Sequence, residues 1–248
     1  MRALALPFFL IASAAMAAPD TSKRPVARSG SEAPIVAADT PVQRMAFSTD
    51  VTSLRPSLRP RAIVQKAMAR RAERRKGQVC GDPDLQGDDV GAVPGRINGC
   101  GVAEAVRLRS VSGVTLSQAA VIDCPTARAL KRWTEKGAKP ALRNVGGGLA
   151  SYRVAAHYAC RTRNNQPGAR ISEHGRGKAI DISGFVTKDG TTLTVLNDWN
   201  SRNRKALRSM HRAACGPFST VLGPNSDRFH RDHFHFDTAR HRGGSYCR

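Results

Sequence analysis

No apolar run in the sequence reaches the ~20 residues that a membrane-spanning helix needs, which argues against a transmembrane span. The longest run, ALALPFFLIASAAM (residues 3–16), follows the positive start Met1-Arg2 and overlaps Ala15-Met16-Ala17, which has the small-x-small pattern of a cleavage site. A positive start, a short apolar run and a small-residue cleavage site are typical of a secretory signal peptide. We therefore expect residues 1–17 to be cleaved on export, rather than kept as an anchor, and the mature protein to be periplasmic or secreted.

Cysteines at CxxC spacing are also absent, which argues against a cysteine zinc site, because such sites usually take their ligands in close pairs. The six cysteines are Cys80, Cys100, Cys124, Cys160, Cys215 and Cys247. An even number of scattered cysteines in an exported chain favours three disulfides. The spacing leaves the pairing open, and we expect sequence neighbours to pair: Cys80–Cys100, Cys124–Cys160 and Cys215–Cys247.

Acidic side chains are scarce: 19 Asp and Glu stand against 40 Lys and Arg, for a formal net charge of +21. A chain this basic is often a nucleic-acid-binding protein. Export argues against that partner, so we expect no nucleic acid. An anionic envelope polymer, such as cell-wall material or a charged membrane surface, is the expected contact, with a plain solvated surface as the alternative.

Residues 18–78 contain no cysteine and no histidine and are rich in Pro, Ser, Ala and Arg, with the short repeat SLRPSLRP at 53–60. Such a composition buries little apolar surface and predicts a disordered basic linker. Within it, AIVQKAMARRAERRKG (62–77) is compatible with a basic helix whose apolar face is too thin for a core. All cysteines and all seven histidines lie in 79–248, a suitable size for one domain.

Residue patterns in this second part predict an α+β domain with an antiparallel sheet and flanking helices, stabilised by disulfides. Helices are predicted over 124–137, where Pro125 suits the first turn and Gly137 the end, and over 201–215. Alternating strand patterns occupy 151–160 and 178–185, and Asp189-Gly190 predicts a hairpin over 185–195. FSTVL (218–222) and HFHFD (233–237) are predicted to end the chain as two strands.

Two stretches contain metal-ligating residue types in unusual density. In SEHGRGKAID, Gly175 and Gly177 allow the His174 loop to fold back over the strand that carries Asp181. In HRDHFHFD (230–237), alternation places His233, His235 and Asp237 on one face and the two phenylalanines on the other. One imidazole and one carboxylate are two of the three ligands of a catalytic zinc, with water in the fourth position. Histidines packed for structural reasons alone are the alternative.

The first stretch resembles a known motif. Residues Ser172 to Asp181 fit Ser-x-His-x-x-Gly-x-Ala-x-Asp, the first zinc motif of the LAS metallopeptidases, which include lysostaphin, D-Ala-D-Ala metallopeptidases and murein endopeptidases. The segment from about 79 to 248 also resembles the bacterial extensin-like C-terminal family. The segments that carry this resemblance are CPTARALKRW, YACRTRN, SEHGRGKAIDISGF, FSTVLGP and HRDHFHFD, in that order. The family name does not imply a hydroxyproline-rich fibre.

The resemblance implies that His174, Asp181 and His235 are zinc ligands in a LAS-like fold. For the general base it leaves two candidates: Asp232, which matches an acidic residue in D-Ala-D-Ala peptidases, and His233, which matches a histidine in murein endopeptidases. Strand geometry favours His233, because it shares a face with His235.

Further residues take roles from the same resemblance. His230 resembles a second active-site histidine of the murein endopeptidases. Arg161 resembles an arginine that precedes the first motif in D-Ala-D-Ala peptidases, where a guanidinium can bind a peptide carboxylate or an oxyanion; a surface arginine is the alternative. Asp237 is expected either to orient a ligand histidine or to be a surface charge. Glu173 and His241 are expected to be solvated.

Together these features predict an exported zinc metallopeptidase that hydrolyses the stem peptides or cross-links of peptidoglycan. His233 or Asp232 would accept a proton from the attacking water and deliver it to the leaving amine. A non-catalytic zinc- or wall-binding module is the main alternative, and a basic nucleic-acid-binding protein is a weaker one. The sequence leaves open the bond that is cleaved and the oligomeric state.

Overall fold

The computed structural model describes residues 59–241 and 243–248, which form a ten-stranded mixed sheet with flanking helices. The predicted signal peptide and most of the predicted linker lie outside these residues. The strands are β1 (Gln78–Val79), β2 (Asp82–Pro94), β3 (Gly101–Val111), β4 (Val114–Asp123), β5 (Leu149–Ala156), β6 (Ala179–Thr187), β7 (Thr192–Thr194), β8 (Thr220–Leu222), β9 (Phe234–Asp237) and β10 (Tyr246–Cys247). The helices are α1 (Arg61–Lys76), α2 (Cys124–Trp133), α3 (Lys139–Leu142), α4 (Val195–Asp198) and α5 (Arg204–Ala214). The expected mixture of helices with a largely antiparallel sheet is confirmed at this level.

The sheet runs in the order β1-β2-β3-β4-β5-β6-β9-β8-β10, and β7 pairs with the far end of β6. Neighbours are antiparallel except for the β4–β5 and β8–β10 pairs, which are parallel. Strands β2 to β4 form a long meander that the sequence patterns did not predict. Its second turn is tight because Ser112 and Gly113 both adopt positive φ angles, 48° and 78°.

The parallel β4–β5 pair requires a crossover, and α2 provides it. The Asp123 carboxylate accepts a hydrogen bond from the backbone N–H of Thr126 (2.8 Å), and Pro125 lies in the first turn. The predicted end at Gly137 is wrong. The helical path continues through a π-helical turn, Thr134–Ala138, into α3. Gly137 instead permits a close approach to α5, since a Cβ there would lie 2.8 Å from the Cβ of Ala213.

The predicted strands and hairpin of the second half are confirmed, with β6, β7, β8 and β9 at the expected places. One face of β6 and β9 packs into the core through Ile180, Ile182, Phe234 and Phe236, all fully buried. Trp133 of α2 covers this face, with its ring centroid 4.9 Å from that of Phe236. The opposite face of the same two strands is therefore left for polar side chains.

Three disulfides form, but two of the three predicted pairings are wrong. Cys215 pairs with Cys247 as expected, whereas the other bonds are Cys80–Cys124 and Cys100–Cys160. Tertiary packing decides these partners: α2 crosses the start of β2, so that Arg128 of α2 donates to the carbonyl oxygen of Cys80 (2.8 Å). Cys100, in the turn between β2 and β3, meets the segment that follows β5.

The predicted disorder of the 18–78 linker is not confirmed, since its described part contains helix α1. This helix buries none of its residues, consistent with the thin apolar face expected from the sequence. Among the described residues, no helix is long and apolar enough to cross a membrane.

Candidate metal centre

Asp181 and His235 meet because β6 and β9 are antiparallel neighbours in which these two residues are directly opposite. Strand alternation turns both side chains away from the phenylalanine core. His174 reaches them from the 3₁₀ turn Glu173–Arg176, whose start is capped by the Ser172 hydroxyl accepting from the His174 N–H (3.4 Å). Gly177 ends this turn with a φ of 67°. The three side chains, which belong to the two stretches 172–181 and 230–237, thus converge as the sequence patterns predicted.

The three residues form a compact, buried cluster, with one potential ligand atom from each within 4.8 Å of the others. His174 Nε2 lies 3.1 Å from Asp181 Oδ2 and 3.2 Å from His235 Nδ1. His235 Nδ1 lies 2.8 Å from Asp181 Oδ1. Two atoms bound to one zinc ion at tetrahedral angles lie roughly 3.3 Å apart. The observed separations therefore suit a common divalent ion.

Hydrogen bonds on the outer side of each ring fix which nitrogen is free for a metal. His174 Nδ1–H donates to the carbonyl oxygen of His157 (2.8 Å), because a carbonyl can only accept. His235 Nε2–H donates in the same way to the Asp237 carboxylate (3.1 Å). In their neutral forms, both rings then direct a lone pair toward Asp181. Such outer partners are characteristic of histidine metal ligands, and Asp237 occupies the orienting position that was one of its two expected roles.

Without a metal ion, the two ring nitrogens and the Asp181 carboxylate would repel one another. A proton on one of the rings removes this repulsion. Burial alone would lower the pKa of His235, but the carboxylates of Asp181 and Asp237 raise it from 6.5 to about 9. Burial alone would raise the pKa of Asp181, but hydrogen bonds and charge from His174 and His235 hold it well below 3.8. The metal-free cluster therefore holds a proton at neutral pH that a bound metal ion would have to displace.

Beside the two imidazoles of the cluster lies a third. His233 comes just before β9, and its Nε2 lies 3.6 Å from Asp181 Oδ2. Its Nδ1–H donates to the Asp232 carboxylate (2.8 Å), so that Nε2 of the neutral ring keeps its lone pair facing the cluster. The Asp232 side chain is 66% exposed. The two residues expected as alternative bases are thus hydrogen-bonded to each other, with the histidine on the inner side.

A second histidine–carboxylate pair borders His233. His230 Nδ1–H donates to Asp227 (2.7 Å), and the His230 ring centroid lies 5.2 Å from that of His233 and 5.6 Å from that of His235. Burial lowers the pKa of His230 despite the Asp227 carboxylate. His230 is therefore mostly neutral at pH 7 and borders the cluster as a hydrogen-bonding group rather than a fixed charge.

The three cluster residues, together with His233, His230, Asp227 and Asp237, line one cavity of about 500 Å³ that opens to the surface. Arg161 also lines it, and its guanidinium donates to the Thr162 carbonyl oxygen (3.4 Å). The expectation that Glu173 is solvated is wrong, because it is buried and accepts from Arg176 (3.3 Å). His241 is exposed, as expected, and contacts the Thr220 hydroxyl (2.8 Å). Both residues line the cavity.

The family model described as Extensin-like protein C-terminus matches residues 89–248. The chain belongs to this family. The matched part of the extensin-like domain begins within β2 and includes the whole histidine and aspartate cluster, and the match confirms the resemblance to the extensin-like C-terminal family. No curated protein and no solved structure matches the chain.

Several neighbours of the cluster in this extensin-like domain escaped the sequence reasoning. Asp227 was missed because it lies in a turn, although its i, i+3 spacing to His230 is a detectable signal. The role of His157 rests on its backbone carbonyl, for which the side chain gives no signal. The arrangement as a whole offers three ligand atoms, one adjacent basic nitrogen and an open cavity, which are the parts that metal-assisted hydrolysis needs.

Proposed function

We propose that this extensin-like domain is a zinc-dependent peptidase acting on the peptide part of peptidoglycan, in the periplasm or outside the cell. The observation that carries the proposal is the convergence of His174, Asp181 and His235, with a third imidazole 3.6 Å from the carboxylate. The resemblance of residues 172–181 to the first LAS zinc motif supports it. Two imidazoles and one carboxylate form a ligand set of catalytic zinc sites, which leave one position open.

A zinc ion held by these three residues would lower the pKa of a water molecule and polarise a substrate carbonyl. His233 would act as general base, since its Nε2 lone pair faces the cluster and Asp232 holds the ring in that tautomer. The protonated imidazole would then donate to the leaving amine. Arg161, in the cavity wall, would bind a carboxylate of the substrate.

Peptidoglycan is the proposed substrate because three features agree with it. The chain is predicted to be exported, its net charge of +21 suits an anionic polymer, and the cavity includes Arg161 and Arg163 in its wall. Stem peptides carry free carboxylates that such guanidinium groups can pair with.

Digestion of purified sacculi tests the proposal. The zinc-loaded protein is expected to release peptide or muropeptide fragments, detected by mass spectrometry, and chelation is expected to stop the release. His233→Ala should lower kcat by about 10²- to 10⁴-fold while zinc is retained, since a general base contributes this much. Asp232→Asn should cause a smaller loss, because the histidine remains. Leu196→Ala, at an exposed side chain outside the cavity, is the control and should keep activity.

Two results would count against this account. Full hydrolysis by a His233→Ala, Asp232→Ala double variant would refute the base assignment. Zinc binding and sacculus binding by wild type without any released fragment would instead support a non-catalytic wall-binding module.

A further inference from the structure

Two exposed aromatic side chains lie at the cavity and have no place in the proposed chemistry. Phe229 is 40% exposed and Tyr246 is 50% exposed. Within residues 59–241 and 243–248 these are the exposed aromatic residues, and both line the cavity of the metal cluster. We call this pair the aromatic rim. Aromatic residues left exposed beside a polar cavity indicate a binding surface.

Both members of the rim are held in place by the fold. Tyr246 lies on β10, which pairs in parallel with β8, and its neighbour Cys247 is bonded to Cys215. Phe229 lies in the turn before β9, where its backbone N–H donates to the Asp227 carboxylate (2.8 Å). A preorganised aromatic surface loses little conformational entropy when it binds a ligand.

Each aromatic ring also has a guanidinium group beside it. Arg228 lies over the Phe229 ring at 4.8 Å from its centroid, and Arg248 lies over the Tyr246 ring at 5.6 Å. Both arginines are exposed, so their N–H groups are free to donate to a ligand. A ligand that suits this surface needs an apolar face for stacking and oxygen acceptors around its edge.

We propose that the aromatic rim binds a sugar ring of the peptidoglycan glycan strand, next to the stem peptide that enters the cavity. The inference rests on the proposed function for the identity of the substrate, whose peptides are attached to N-acetylated sugars. A pyranose ring offers C–H groups on its face and hydroxyl and acetamido oxygens on its edge, which matches the rings and guanidinium groups. A purely aliphatic peptide side chain would leave the guanidinium donors without acceptors.

Binding of an N-acetylglucosamine tetrasaccharide to the full chain tests the inference without requiring hydrolysis. The wild type is expected to bind it saturably in a calorimetric or NMR titration. The Phe229→Ala, Tyr246→Ala double variant should bind about tenfold more weakly or worse, as expected for loss of a stacking anchor. Leu196→Ala, at a side chain 61% exposed and outside the cavity, is the matched control and should bind like wild type.

A pair of substrates then links the rim to the reaction. KM for a disaccharide-peptide should rise about tenfold or more in the double variant, whereas KM and kcat for the same peptide without sugar should stay within about twofold. Phe229→Tyr should retain the wild-type preference for the sugar-bearing substrate, because the stacking face is kept. Since both side chains are exposed, unchanged melting curves will show that the variants remain folded.

The outcomes separate the two proposals. Tetrasaccharide binding that depends on the rim, without any hydrolysis, keeps this inference and overturns the proposed peptidase. Hydrolysis with equal loss on both substrates, or with no tetrasaccharide binding by wild type, overturns the sugar subsite and leaves the peptidase intact.

Discussion

The pKa of His235 makes a quantitative prediction about the metal-free protein between pH 7 and 9. Burial would lower this pKa, but Asp181 and Asp237 raise it from 6.5 to about 9. A raised histidine pKa stabilises the folded state fully below pH ~6.5, and this contribution is lost as the pH rises through about 9. The difference amounts to about 3 kcal/mol at most, of which about 2 kcal/mol should disappear between pH 7 and 9.

The affinity for zinc should change with pH in the opposite direction, rising where the stability of the metal-free protein falls. At pH 7 almost every metal-free molecule carries the His235 proton, so that zinc binding must release about one proton. The Kd for zinc is therefore expected to fall about tenfold per pH unit from pH 7 to 9 and to level off above pH 9. Bound zinc stabilises the folded state more as its Kd falls, and this gain cancels the loss of stability of the metal-free protein. The free energy of unfolding of the zinc-saturated protein should therefore show no pH dependence from His235.

Urea unfolding of the chelator-treated protein at pH 7, 8 and 9 measures how the free energy of unfolding depends on pH. Calorimetric zinc titrations in buffers of different ionisation enthalpy measure the proton release. His235→Asn should remove the slope, since the amide does not titrate. His241→Asn, at a cavity histidine outside the ligand cluster, should keep it. Metal-free stability that stays constant from pH 7 to 9 would refute the assignment of a shared proton to the cluster.

Three further predictions concern residues that support the cluster. Asp237→Asn should weaken zinc binding about 10- to 100-fold in a chelator competition titration, because the carboxylate orients His235. The Cys100→Ala, Cys160→Ala double variant should weaken zinc binding by about tenfold or more, because the His174 turn packs directly on this disulfide. The contact is so close that a Cβ on Gly175 would lie 3.0 Å from the Cys100 sulfur. Gly177→Ala should lower the free energy of unfolding by about 1–3 kcal/mol in urea, given its φ of 67° and a Cβ position 2.6 Å from Val102 Cγ2.

Each of these predictions has a control or a result that would contradict it. Removing Cys215–Cys247 should leave zinc affinity unchanged, since that bond lies on β10, away from the His174 turn. Wild-type zinc affinity in the Asp237→Asn variant would show that this carboxylate is not needed to orient His235. A Gly177→Ala protein as stable as wild type would mean that this turn relaxes without cost.

The candidate cluster could be predicted because its two strands follow simple alternation. Ile180, Ile182, Phe234 and Phe236 belong in the core, and a period of two then puts Asp181 and the intervening histidine on the other face. Local rules also gave α2 and α5, because each has an apolar stripe along one face and α2 has Asp123 as its N-cap. These features depend only on residues close in sequence.

The parts that sequence reasoning missed depend on long-range packing. Strand β2 escaped because DPDLQGDDVGAVP has little alternation, and its pairing with β3 shifts register three times. Two disulfide partners were wrong because the crossing of α2 and the position of the β2–β3 turn decide them. The burial of Glu173 likewise follows from how its turn packs, which no local pattern reveals.

Diffraction from zinc-soaked crystals at the zinc absorption edge tests the central claim most directly. The account predicts one anomalous peak between the side chains of His174, Asp181 and His235, and loss of this peak in His235→Asn crystals. A peak at another place, or none at saturating zinc with the three side chains still hydrogen-bonded to one another, would contradict it.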